Sequence, residues 1–77
     1  MKQFSVYLRV TQEQKPVWHT YVTAPTAITA IQSAMLIHKV RFVRYALAMV
    51  DGEGGQGESA TLIDFAYAPV PARKVVR

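Results

Sequence analysis

Residues 20–39, TYVTAPTAITAIQSAMLIHK, decide how the fold is read. Pro25 locks its own φ and biases Ala24 toward extended backbone, so no helix starts before it. Thr26 is then a good N-cap, because its hydroxyl can accept from a free first-turn amide. Thr29, not Glu or Gln, stands three residues on, so there is no capping box. At about 100° per residue, Ala27, Ile28, Ala30, Ile31, Ala34, Met35 and Ile37 form one broad apolar arc. Thr29, Gln32, Ser33 and Lys39 fall opposite, with Leu36 among them. The alanines let such a helix approach a sheet closely. His38 lies at the C-terminal end of the arc, where a protonated ring suits the helix dipole. Its expected role is that of a partly buried helix-end residue.

Before this stretch, residues 2–11 alternate. Phe4, Val6, Leu8 and Val10 face one way; Ser5, Tyr7, Arg9 and Thr11 face the other. This is strand periodicity in a run rich in aromatic and β-branched residues. Residues 12–16, QEQKP, read as a polar turn, and residues 17–23 alternate again. Trp18, Thr20 and Val22 oppose Val17, His19, Tyr21 and Thr23. The two runs predict an antiparallel hairpin.

After it, residues 40–50, VRFVRYALAMV, admit two readings. Val40, Phe42, Val43, Tyr45 and Val50 favour a strand. Yet no Gly or Pro stands between Thr26 and Gly52, and Ile28, Ile31, Met35, His38, Phe42, Tyr45 and Met49 keep helical spacing, so one helix of about 24 residues is the alternative. In the strand reading Val43, Tyr45, Leu47 and Met49 share a face and Arg44 lies on the other. Residues 51–59, DGEGGQGES, are a Gly-rich loop. Residues 60–67 are a further strand, with Thr61, Ile63, Phe65 and Tyr67 on one face, paired with the preceding run as a second hairpin. Residues 69–77, PVPARKVVR, read as a flexible basic tail.

The expected fold is therefore α+β: a two-layer β-β-α-β-β arrangement in which one helix packs on one face of an antiparallel sheet. It is a single small domain of 77 residues. A chain of this length buries roughly 60–65% of its unfolded surface, which leaves a thin stability margin. With 51% hydrophobic residues the composition argues against disorder. There is no cysteine, hence no disulfide framework and no thiolate metal site. No apolar run is long enough to span a bilayer, and residues 1–10 alternate instead of forming a signal-peptide core. These features predict a cytoplasmic protein without membrane contact, with homodimerisation permitted. The net charge of +4 allows nucleic acid or an acidic protein surface as partner and establishes neither.

Little catalytic chemistry is legible. The loop DGEGGQGES lacks the Gly-Lys-Ser/Thr of a phosphate-binding loop, and Asp51, Glu53 and Glu58 would repel phosphate. Those acids do not match calcium-loop spacing either. His19 and His38 have no carboxylate at ligand spacing, and nothing around Ser5 or Ser33 resembles a nucleophile elbow. The expectation is a non-enzymatic protein with no cofactor and no metal.

One constellation rises above this background. Tyr7, Arg9, His19 and Tyr21 alternate onto the sheet face away from the helix, and Arg44 extends the group, as do Arg41 and the tail residues Arg73, Lys74 and Arg77. Aromatics on a sheet stack nucleic-acid bases while cations hold phosphates. The same residue types are enriched at protein interfaces. They are also ordinary cross-strand pairs. The residues alone leave all three readings open.

The run TYVTAPTAITAIQSAM, a strand feeding a Pro/Thr turn into an Ala-rich helix after a hairpin, resembles small phage-encoded proteins. Among these are anti-CRISPR inhibitors of type I surveillance complexes that share the strand-strand-helix-strand-strand plan. The resemblance is architectural, carries no diagnostic motif and transfers no functional residue. It implies a phage or mobile-element protein that binds a host protein or ribonucleoprotein complex and blocks a nucleic-acid-handling surface. The positive charge departs from the acidic, DNA-mimicking members of that group. A single-stranded DNA- or RNA-binding protein and a small homodimeric assembly protein are the alternatives.

Overall fold

The computed structural model describes residues 1–13, 17–51 and 57–67. Strands β1 (Lys2–Arg9) and β2 (Trp18–Ala24) precede helix α1 (Ala27–His38), which is followed by β3 (Phe42–Val50) and β4 (Ser59–Ala66). The strands form one sheet of order β2-β1-β3-β4, antiparallel at every step. The expected α+β fold and its element order are thus observed. The sheet joins the two hairpins through β1 and β3, so the helix crosses over β1 on its way from β2 to β3.

The helix starts and stops for identifiable reasons. Thr26 is extended (φ −138°, ψ 162°), and its hydroxyl accepts from the Thr29 amide at 3.1 Å. The Ala27 amide donates to a Glu58 carboxylate oxygen at 2.8 Å, so an acid from the far loop satisfies a second free donor. At the other end Lys39 is left-handed (φ 60°, ψ 40°). Its amide donates to the Leu36 carbonyl at 3.1 Å, and the Val40 amide donates to the Met35 carbonyl at 3.0 Å. This is a Schellman closure, built on a lysine instead of the usual glycine. It ends the helix and leaves residues 42–50 as a strand, which removes the long-helix alternative.

Ala27, Ala30, Ile31, Ala34 and Met35 are buried against Phe4, Val6, Leu8, Val22, Ala24, Val43, Ala46 and Ala48. Alanines stand on both sides of this contact, which permits close approach of helix and sheet. The apolar arc is narrower than the sequence suggests: Ile28 and Ile37, on opposite flanks of it, are exposed along with Leu36.

A second correction concerns the last two strands. On β3 the buried residues are Val43, Ala46 and Ala48, and on β4 the residues against the core are Ala60, Leu62 and Phe65. A spacing of three replaces a spacing of two at the same level on both strands. The ladder has no bridge between Arg44 and Asp64 there, and Asp64 is left-handed with φ 51°. Val43 therefore faces the helix while Tyr45, Leu47 and Met49 do not. Likewise Phe65 and Tyr67 pack on the core, whereas Ile63 is 65% exposed.

Two acids of the Gly-rich loop, Asp51 and Glu58, have structural partners. The Asp51 amide donates to the Gln3 carbonyl at 2.8 Å, and its carboxylate accepts from Gln3 Nε2 and Ser5 Oγ. No helix among the described residues is long and apolar enough to cross a membrane. The expected basic tail, with Arg73, Lys74 and Arg77, lies outside the described residues.

Candidate binding face

The face of the sheet opposite the helix is uncovered by any element among the described residues. Its rows follow from the register. His19, Tyr7, Leu47 and Thr61 lie side by side across β2, β1, β3 and β4. Tyr21, Ser5, Met49 and Ser59 form the next row, and Arg9, Tyr45 and Ile63 the row on the other side. The sequence-derived residues Tyr7, Arg9, His19 and Tyr21 are therefore brought together on one surface. Regular alternation on β1 and β2 is the reason.

Tyr7 and His19 are directly opposed, and their rings stack with centroids 4.4 Å apart and planes within 1°. Parallel rings in contact are about 3.5 Å apart along their normal, so that normal lies within roughly 40° of the line joining the centroids. The line runs between neighbouring strands, in the plane of the sheet. The two rings consequently stand on edge and present rims, not faces, to whatever covers them. His19 also meets Tyr21 at 4.7 Å with a 59° tilt. Ser5 is only 7% exposed although it lies on the open face, between Tyr21 and Met49 in its row.

Arg9 and Arg44 border one hollow of about 240 Å³, completed by Gln12, Tyr45, Ile63 and Asp64. They differ in electrostatic state. Arg44 donates to the Asp64 carboxylate at 2.9 Å. The Nε of Arg9 is buried with no hydrogen-bond partner. The remaining described cations lie elsewhere. Lys2 approaches Glu58 at 3.4 Å, while Lys39 and Arg41 line a hollow beside the end of α1 with Met35, Leu36 and Val40. The Glu58 carboxyl is held below its ordinary range, chiefly by the bond from the Ala27 amide, against desolvation and with help from Lys2.

Both histidine rings are engaged. His38, half-buried, stacks on Trp18 with centroids 4.6 Å apart, and its Nε2 lies 2.7 Å from Thr20 Oγ1. Among the described residues no three His, Cys, Asp or Glu side chains are grouped to hold a metal ion.

Sequence reasoning missed the apolar half of this face: Leu47, Met49 (40% exposed) and Ile63. A signal was present. Ala46 and Ala48 are the small residues of β3, and small residues belong beneath a closely packed helix, so their larger neighbours belong outside. No protein-family model, curated protein or solved structure matches the chain.

Proposed function

We propose that this chain is a non-enzymatic binding protein that seals the open face of its sheet against a partner protein. The observation that carries the reading is the edge-on Tyr7–His19 stack, continued by exposed Tyr21, Met49 and Ile63. A base-binding sheet offers flat rings flanked by free cations. Here the rims face out, Arg44 is neutralised by Asp64, and Lys39 and Arg41 stand beside the helix end. Aromatic rims, methionine and one free arginine suit the desolvated centre of a protein interface. The partner proposed, on the resemblance to phage inhibitors, is a host assembly that handles nucleic acid, such as a type I surveillance complex. Action inside the host cell belongs to the same proposal.

Titration of labelled single-stranded DNA and RNA with this protein tests the choice of partner class. Any binding should fade between about 50 and 200 mM salt, because it would rest on phosphate contacts alone. Binding that survives that salt and is lost in the Tyr7→Ala, Tyr21→Ala double variant would make nucleic acid the ligand. The narrower proposal is read from phage plating on cells with active type I interference. Expression of the chain should raise plating, and Tyr7→Ala with Met49→Ala should abolish the rise. No rise in any type I system tested removes that partner.

A further inference from the structure

The sheet has two edges, β2 and β4, and they differ sharply. Natural edges are guarded against pairing by charges, kinks or short strands. β4 is guarded: left-handed Asp64 breaks its ladder and carries a charge, and Glu58 immediately precedes the strand. β2, sequence WHTYVTA, has no Asp, Glu, Lys, Arg, Gly or Pro. All seven of its residues are in unbroken register with β1, so its outer edge is equally regular. Alternate amides and carbonyls along that edge point away from β1 and have no ladder partner among the described residues.

We propose that the β2 edge pairs with β2 of a second copy of this chain, antiparallel and centred on Tyr21, to make one continuous eight-stranded sheet. The strand is complementary to its own reverse in this register. Tyr21 meets Tyr21 of the partner subunit across the two-fold axis. His19 meets the partner's Thr23, Thr20 meets the nearly isosteric Val22 of the partner subunit, and bulky Trp18 meets the partner's small Ala24. No like charges face each other, which matters for a chain of net charge +4.

The helices leave room for this. α1 buries side chains against β2, β1 and β3, which centres it over β1, one strand in from the edge. In the doubled sheet the two helix axes are three strand spacings apart, roughly 14 Å, beyond the 8–10 Å of direct packing. Ile28 and Ile37 stand on opposite flanks of α1, so each helix turns one exposed isoleucine toward the intervening cleft. Pairing also places two copies of the Tyr7–His19–Tyr21 strip side by side on the open face, which doubles it. A seven-residue edge is small for an interface, so the dimer should form near about 100 μM and dissociate near about 1 μM.

Sedimentation equilibrium of the full chain across that range tests the proposal without any partner protein. The unaltered chain should pass from monomer to dimer. Tyr21 is 58% exposed, so Tyr21→Lys and Tyr21→Glu should both fold, with circular dichroism as the check. Each alone should associate about tenfold or more weakly, since like charges then oppose each other on the axis. An equimolar mixture of the two should regain the dimer. Monomer at every concentration overturns the proposal. So does a dimer indifferent to both substitutions, or a mixture that stays monomeric.

Discussion

The two hairpins look alike in sequence and behave differently in the fold. In β1–β2 a strict period of two runs through seven consecutive pairs, and every alternate residue goes where alternation sends it. In β3–β4 the period slips by one residue at Arg44 and Asp64. A single left-handed aspartate, tied to the arginine opposite, changes which residues belong to the core. A β-hairpin therefore assigns faces reliably only where its backbone stays extended, and one positive φ reverses the assignment for everything beyond it.

The sharpest way to break this comparison is to truncate the two β4 residues that strict alternation places together. Phe65→Ala should cost about 2–4 kcal/mol because Phe65 packs on the core, while Ile63→Ala should stay within about 0.5 kcal/mol. Urea unfolding reads both, and equal losses would mean that the slip is absent. In the regular hairpin, Phe4→Ala should cost about 3–5 kcal/mol, since Phe4 is fully buried.

The slip itself can be probed at its pivot. Asp64→Val should destabilise by about 1–2 kcal/mol, because a β-branched residue tolerates the left-handed region poorly. Asp64→Asn keeps that tolerance and removes only an exposed ion pair, so it should change stability by about 0.5 kcal/mol or less. If Asn costs as much as Val, the charge and not the backbone holds the slip.

In the regular hairpin the corresponding device is aromatic. A double-mutant cycle on Tyr7 and His19, each to Ala, should return a coupling of about 0.5–1 kcal/mol for the stacked pair. A coupling near zero would show that the stack adds nothing beyond strand pairing.

The smallest effect is a pH dependence at the β4 end. Glu58 is held below its ordinary pKa in the folded state, so it contributes stability above the unfolded value. That contribution fades as pH falls through the folded value, below about pH 4.5. Glu58→Gln should flatten the acid limb of a stability profile by lowering stability slightly at neutral pH, the two chains converging in acid. An unaltered acid limb would detach Glu58 from the start of the helix.

The open face was half legible. Tyr7, Arg9, His19 and Tyr21 could be grouped because β1 and β2 keep their period. Arg44 could be placed near them, but its neutralisation by Asp64 depends on a pairing twenty residues away in the chain. Leu47, Met49 and Ile63 were visible as apolar residues, but not as outward ones, because strand period does not say which face a helix will cover. The Asp51 and Glu58 contacts were hidden for a similar reason: a Gly-rich acidic loop carries no sign of the elements it will meet.

Local chemistry settled the type of every element but β3, the start of the helix and the antiparallel pairing of the first hairpin, since Pro25, Thr26 and strict alternation act over a few bonds. The stop at Lys39 was not legible, because its left-handed backbone carries no glycine to announce it. Tertiary structure alone decided the strand order, the phase of β3 and β4, the orientation of the Tyr7 and His19 rings, and the contrast between a kinked edge and a smooth one. Each of these depends on which distant residues meet, and a linear pattern of polar and apolar side chains is the same before and after that meeting.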